Sequence, residues 1–389
     1  MDGVMSELVD VLVIGGGPVG AALALSLKHS PISVMVLEAR TAPPSDPRVL
    51  AISYGSKLHL ERIGAWQAVQ DATPIRTIHV SQKGGFGRTI LTAGEADVPA
   101  LGYVVNYQDI HHALVSKLDN DVYLEGACAS EIDLSEDRGT VDFDYQGKRR
   151  RIGAKLVVMA EGGKLVEHVN GITRKQREYG QWAIIGQVRT EKPHGNIAYE
   201  RFTPDGPLAL LPHGEGFSLV WTAPPDAAKE LISLEKERFL ERLHGHFGER
   251  LGKFIDAGPL SGFPLALSYS APFVSKHLAL IGNAAQTLHP VSGQGLNLGL
   301  RDVRMLAAEI LDAAEIGSDA MLSGYSKKRQ MDREGGIYFT DSLIKIFSNE
   351  IPGLRAGRGL ALASMDCLPP LRKWFSRRMM FGIEARSIL

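Results

Sequence analysis

The stretch Asp10–Glu38, DVLVIGGGPVGAALALSLKHSPISVMVLE, decides how the rest of the chain is read. Asp10 to Ile14 is a short apolar run suited to a strand buried on both faces. Gly15, Gly16, Gly17, Pro18, Val19 and Gly20 follow at once, and then a helical stretch through Lys28. Gly15, Gly17 and Gly20 fall on the G-x-G-x-x-G spacing, which serves a tight turn, room for a pyrophosphate against bare backbone, and close packing of helix on strand. A second apolar strand, Ser33 to Leu37, ends in Glu38, eighteen residues beyond Gly20. A carboxylate there can accept hydrogen bonds from an adenosine ribose. Strand, glycines, helix, strand and acid in this order predict a dinucleotide site. Arg40 follows closely enough that a phosphate contact from the same turn stays open.

At 389 residues the chain exceeds what one core usually supports, so two domains and an appendage are expected. Hydrophobic residues make up 44% and charged residues 22%, which argues for a globular protein and against global disorder. A net charge of -1 gives no case for a nucleic-acid partner. The only cysteines, Cys128 and Cys367, can build neither a disulfide framework nor a cysteine metal site, which fits a reducing cytoplasm. The apolar run Val11 to Leu27 is broken by four glycines and Pro18 and is preceded by Asp2, Glu7 and Asp10, so neither an export signal nor a spanning helix is expected. His111 and His112 are adjacent on a predicted helix, Tyr107 to Leu118, and diverge by about 100°. They are not expected to share a metal.

From Gln181 the pattern becomes that of an antiparallel sheet: Ala183 to Arg189, Ala198 to Phe202, and a hairpin of Leu208 to Leu211 with Phe217 to Trp221. The segment Ile75 to Leu101, with an alternating strand and Gly84, Gly85 and Gly87, reads as an excursion into another sheet. Asp226 is expected to cap a charged helix running to about His244, with His244 and His246 at its exposed end. His213, Arg201 and Tyr199 lie on segments able to wall a pocket, although each has a bland reading as a surface or packing residue. Beyond Gly335 the chain is helical and increasingly basic, with Arg372, Lys373, Arg377 and Arg378 among Trp374, Phe375, Met379, Met380 and Phe381. Two readings stand for that end: contact with a membrane surface, or ordinary packing as a C-terminal cap.

Near the other end lies Leu278–Asp302, LALIGNAAQTLHPVSGQGLNLGLRD. An apolar strand, Gly282-Asn283, a small-residue turn, His289-Pro290, glycines at Gly293 and Gly295, and an amphipathic helix from about Leu296 follow one another. Together with Gly15–Gly20, Glu38, the segment Arg48 to Ser53 and Gly64-Ala65-Trp66, this stretch resembles the single-component flavin-dependent aromatic hydroxylases. Within them it is most similar to the ubiquinone-biosynthesis branch, whose pattern Glu200-Arg201-Phe202-Thr203 and Gly206 to Pro212 also match.

The resemblance implies an α/β fold: a Rossmann-like FAD-binding domain of glutathione-reductase type, an inserted antiparallel-sheet substrate domain and a C-terminal helical segment. The corresponding divisions are residues 1–74, 101–177 and 270–334 for FAD, 75–100 and 178–269 for substrate, and 335–389 for the helices. It implies that Gly15, Gly17 and Gly20 take the pyrophosphate of FAD, Glu38 its ribose, and Asn283 the ribityl chain. His289, Pro290 and the backbone of Gly293, Gln294, Gly295, Leu296 and Asn297 would border the isoalloxazine ring, with Arg48 and Gln108 also at the flavin. Asn283 and Gln286 stand where the family more often has Asp and His. Glu161-Gly162 replaces its Asp-Gly, with no Ser-x-x-Arg afterwards. The implied activity is hydroxylation of a polyprenylated methoxyphenol through a hydroperoxyflavin, using NAD(P)H and O2. For so greasy a substrate, peripheral contact with the inner face of the membrane or a ubiquinone-biosynthesis complex is expected. No catalytic residue is assigned. The rivals are a prenyl reductase, a flavin halogenase, disfavoured because Trp182 stands alone, and a non-catalytic prenyl- or partner-binding protein.

Overall fold

The computed structural model describes residues 8–42, 46–134, 137–347 and 352–383. Asp2 and Glu7, which entered the reading of the N-terminus, lie outside the described residues. Among these residues the strands form sheets of eight, nine and three. In the eight-stranded sheet, Leu8–Ile14 lies between Val34–Glu38 and Lys148–Met159, all parallel, with Leu278–Leu280 parallel on the far side of Lys148–Met159. Val11, Leu12, Val13, Leu156, Val157, Val158 and Met159 are fully buried, as strands covered on both faces require. Burial of each large side chain stabilises by roughly 1.5–3 kcal/mol. The helix Pro18–Leu27 crosses between the first two strands and opens on a proline, whose missing amide donor costs nothing in a first turn.

This order brings three loops to the same carboxyl ends of parallel strands: Gly15–Gly17, Glu161–Gly163 and Gly282–Ala284. Ligands of open α/β sheets bind in such a crevice.

The nine-stranded sheet stands beside it. Its long strands Thr173–Thr190 and Ser261–Ala271 pair from Thr173 with Ala271 to Ile185 with Ser261, broken by one bulge between Glu178 and Gln181. The expected border between residues 177 and 178 thus falls inside a strand. The hairpin Gly206–His213 with Gly216–Ala223 forms as predicted. One pair departs from the antiparallel expectation: Ile197–Thr203 runs parallel to Thr77–Gln82. These two strands come from separate excursions of the chain, so no tight turn sets their relative direction. Within the expected excursion Ile75 to Leu101, that second strand and its antiparallel partner Arg88–Thr92 join the nine-stranded sheet, while Ile75 ends a strand of the three-stranded one.

One face of this sheet is covered by the helices Pro225–Ser233 and Lys236–Phe247, packed through Ala228, Leu231, Phe239, Leu243 and Phe247 onto Tyr199, Leu208, Leu210 and Trp221. The single charged helix expected from Asp226 is therefore two helices. Pro224 takes the cap position, and Leu234 is extended between them and packs on the same core. His246 is not at an exposed end, since it packs 4.9 Å from Trp221.

The C-terminal helices Pro352–Cys367 and Pro369–Phe381 lie against Arg88–Thr92 and Tyr54–Arg62. Met380 and Phe381 share a small core with Leu91, Ala93, Ala96, Val98 and Leu101, while Arg372 and Lys373 pair with Glu95 and Asp97. The packing reading of this end is what its inner face does, and Trp374 stays exposed.

Candidate functional site

The first loop has the geometry its glycines predict. Gly15 has φ +106°, and a Cβ there would lie 2.6 Å from the Glu161 amide nitrogen, so the first loop abuts the second. A Cβ at Gly20 would lie 2.0 Å from the Gly15 carbonyl, which fixes the close approach of helix to strand. Gly17 caps the helix with extended backbone and meets only Tyr107 Oη, at 3.9 Å, leaving a bare helix N-terminus of the kind that binds phosphate.

Glu38 is buried at the end of its strand. It accepts from the Gly16 amide at 2.8 Å and from the Arg40 amide and guanidinium at 3.0 and 2.7 Å. Burial alone would push its carboxyl up, but these bonds outweigh it and hold Glu38 below the usual carboxylate value. Arg40 is thereby committed to Glu38. Arg48 is exposed, pairs with Asp46 through 2.9 Å contacts, and lies 5.3 Å over the Tyr107 ring. Gln108, on the first turn of the next helix, is also exposed.

The second and third loops are joined by Arg174, a residue no spacing marked. Its guanidinium donates to the carbonyls of Gly162 and Asn283 at 3.5 and 3.4 Å. Glu161 accepts from the Lys164 amide at 2.9 Å, while its Oε1 is buried with no hydrogen-bond partner among the described residues. Asn283 is exposed at its turn.

Gln286 turns inward, part of a two-residue strand, Gln286–Thr287, where a simple turn was expected. It donates to Asp302 at 2.8 Å and accepts from Arg333 at 2.8 Å. Asp302 also accepts from the Gly282 amide at 2.9 Å and from Arg329 Nε at 2.8 Å, and Arg329 donates to Asp332 at 2.6 Å. Helix Asp319–Phe347 thus locks the third loop through fully buried charges.

His289 is buried, edge-on to Tyr179 at 5.2 Å between ring centroids. The Val291 amide donates to its Nδ1 at 3.1 Å, which places the proton of the neutral ring on Nε2, an atom with no partner among the described residues. Burial lowers the imidazole to about 4. His289 accordingly stays neutral through the physiological range, and an NMR titration should show no midpoint near 6.5, the ordinary value. A midpoint there would refute the buried placement. Pro290 leads into the turn Val291–Gly293. Gly293 is left-handed at φ 60°, ψ 29° and opens the helix Gln294–Asp312, where Gln294 is buried and Leu296 partly so. Asn297 is fully committed: it accepts from the Ser53 amide at 2.8 Å and donates to the carbonyls of Ala51 and Gly293 at 2.8 and 2.7 Å. Its side chain positions the turn and leaves only backbone for a ligand.

Of the three pocket candidates on the sheet, Tyr199 and Arg201 face away. Tyr199 packs on Phe217 and Phe247, and Arg201 donates to the His246 carbonyl at 3.0 Å. His213 shares the opposite face with Leu211, two residues before it.

Two of these loops have open edges. A Cβ at Gly162 or Gly295 would meet no atom within 4 Å, although neighbouring glycines are crowded. The three loops present a helix N-terminus able to take a phosphate, an exposed amide at Asn283 and open glycine edges at Gly162 and Gly295. Fold and site define a dinucleotide-binding flavoprotein.

A family model described as an FAD binding domain matches residues 8–334, and the chain belongs to that family. It is 34% identical to a protein of Rhodospirillum rubrum named ubiquinone hydroxylase, over 97% of this chain and 91% of that one. It is 32% identical to the 3-demethoxyubiquinol 3-hydroxylase of Escherichia coli, over 93% and 95%. Among solved structures, p-nitrophenol 4-monooxygenase of Pseudomonas putida superposes with TM-score 0.78 at 19% identity, covering 97% of this chain and 99% of that one. An FAD complex of HpxO from Klebsiella pneumoniae gives 0.77 at 17%, over 97% and 100%. Both of these are likenesses of fold. The protein is an FAD-dependent monooxygenase, with NAD(P)H the reductant typical of its family.

Proposed function

We propose that the protein hydroxylates a polyprenylated methoxyphenol in ubiquinone biosynthesis, as a 2-polyprenyl-6-methoxyphenol hydroxylase does. The observation that carries the reading is the likeness to ubiquinone hydroxylases along nearly the whole chain, loops and sheet together. In this reading residues 1–74, 101–177 and 270–334 hold FAD, and the sheet of residues 75–100 and 178–269 walls the substrate. Bound FAD, reduced by NAD(P)H, supplies the activation of dioxygen. Gly15, Gly17 and Gly20 receive the pyrophosphate, Glu38 the ribose and Asn283 the ribityl chain. Arg48 and Gln108 reach the flavin from the Tyr107 side. Pro290 and the backbone of Gly293 to Asn297 border the ring, where the amides opening the Gln294–Asp312 helix favour negative charge. Ala209 and Leu211, partly exposed on the sheet face away from the covering helices, give an apolar wall suited to a prenyl phenol.

A second reading, hydroxylation of a later demethoxyubiquinol ring, is favoured by the name of the E. coli relative. Quinone profiling of cells lacking the protein separates the two. Accumulated polyprenyl methoxyphenol supports the first, accumulated demethoxyubiquinol the second, and an unchanged quinone profile contradicts both.

No described helix is long and apolar enough to cross a membrane. The terminal helices nevertheless expose Leu360, Leu368, Leu371 and Trp374, and Arg377 lies on the same segment as Trp374. We propose peripheral contact of this end with an acidic bilayer. The protein should sediment with acidic vesicles, and Leu371→Glu with Trp374→Glu should reduce the bound fraction several-fold. Equal sedimentation of parent and variant would contradict this placement.

A further inference from the structure

The strand Ile197–Thr203 sorts its side chains by alternation. Tyr199 and Arg201 point to the helix-covered face. Ala198, Glu200 and Phe202 point the other way. Ala198 packs with Ile75 and Val104 of the nucleotide-side sheet. Phe202 packs with Val291, in the turn that follows His289-Pro290, and with Ile344. Glu200 therefore sits between the two places where this face is closed off. Its strand neighbours are Ala209 and Val80, one small and both apolar.

The residue itself is only partly closed to solvent, while its Oε1 is sealed and has no hydrogen-bond partner among the described residues. Its neighbour Arg201 is engaged elsewhere, donating to the His246 carbonyl and the Ser81 hydroxyl. A buried carboxyl without a partner is costly, and a sheet of this kind would be more stable with an apolar residue there. Such a cost is retained where a site requires it.

Resting on the phenol substrate proposed above, we propose that Glu200 is a catalytic base, its carboxylate accepting the proton of the substrate hydroxyl. The phenolic O–H bond breaks and a carboxyl O–H bond forms. The electron pair stays on the phenolate oxygen, which enriches the ring carbons ortho and para to it, the positions an electrophilic oxygen attacks. Desolvation raises Glu200 to about 7, and a base near the working pH is the most effective proton acceptor. His213 lies at the far end of the same face and is lowered by burial, with Asp109 and Asp71 opposing that shift.

The test uses the FAD-loaded full chain, Glu200→Gln and Glu200→Leu, with two probes: a short-chain prenyl methoxyphenol and the same arene lacking its hydroxyl. The parent should bind the phenol at least ~10-fold more tightly than the deoxy compound, and Glu200→Leu should lose that preference. Turnover should fall by ~100-fold or more in both variants. Without ligand, Glu200→Leu should melt at or above the parent temperature, since an uncompensated carboxyl is removed; a carboxyl with a structural role would lower it. The proposal is overturned if the preference for phenol survives in Glu200→Leu, if Glu200→Gln turns over at the parent rate, or if Glu200→Leu melts lower. If the parent binds neither probe, the phenol reading itself fails, a result distinct from parent binding that is indifferent to residue 200.

Discussion

Substituting Gly20 by alanine should strip the protein of FAD. The added Cβ would lie 2.0 Å from the Gly15 carbonyl oxygen and 3.1 Å from Val13 Cγ1, and the first of these is backbone that no rotamer change can move. Overpacking of this kind costs about 1–3 kcal/mol, and each 1.4 kcal/mol is tenfold in affinity. The displacement falls on the loop assigned to the pyrophosphate, so FAD affinity should drop ~10- to 100-fold, read by flavin fluorescence titration. Gly295→Ala separates crowding from ligand contact. Its Cβ would meet nothing in the protein, so the ligand-free melting temperature should not change. Its FAD affinity should still fall, because the methyl occupies the edge assigned to the ring. A Gly295→Ala protein that binds FAD like the parent would remove that loop from the cofactor site.

Arg329→Leu should be the most destabilising single substitution. Arg329 is fully buried and binds both Asp302 and Asp332, and its loss takes a cation from each of two buried carboxylates. Breaking a buried pair from one side costs about 3–5 kcal/mol. The damage should also reach the site, because Asp302 holds the Gly282 amide and Gln286. Denaturant unfolding measures the loss, and a change under about 1 kcal/mol would show that water replaces the guanidinium. The network also predicts acid lability. Burial alone would raise Asp332, but Arg301 and Arg329 hold it below its ordinary value. A lowered carboxylate contributes stability that is complete above its unfolded value near 4 and is lost as pH falls through and below it. Parent stability should therefore decline below about pH 4, and Arg329→Leu should lose part of that dependence.

The nucleotide half of the molecule was legible because its constraints are local. Gly20 is demanded by its contact with the Gly15 carbonyl inside one strand–turn–helix unit, and the same unit ends at Glu38. The hairpin around Gly214 was legible for the same reason. What escaped was set by distant partners. Lys373 and Arg372 left membrane contact and packing equally open, and no local pattern shows that Asp97 and Glu95, more than 270 residues earlier, are their ion-pair partners. Gln286 read as a departure at the flavin, yet its partners Asp302 and Arg333 belong to the helices behind the loop. Arg174 carries no motif and acts only because the bulged long strand passes the Gly162 and Asn283 carbonyls.

Glu200 shows the limit most directly. Alternation placed it between Ala198 and Phe202, but which face of the strand is covered depends on helices Pro225–Ser233 and Lys236–Phe247, whose docking no local pattern states. Of His213, Arg201 and Tyr199, each of which also has a packing reading, Tyr199 and Arg201 lie on the helix-covered face and His213 on the other. The parity of the strand, once the covering helices are known, singles out Glu200.

The central claim is that the three loops hold FAD beneath a sheet that presents a polyprenyl methoxyphenol for hydroxylation. Its most direct test is single-turnover reaction of the FAD-loaded protein with NAD(P)H, isotopically labelled dioxygen and that phenol. The expected result is a ring-hydroxylated product carrying one labelled oxygen atom for each substrate molecule consumed. Oxygen uptake that ignores the phenol and leaves no label in any product would contradict it.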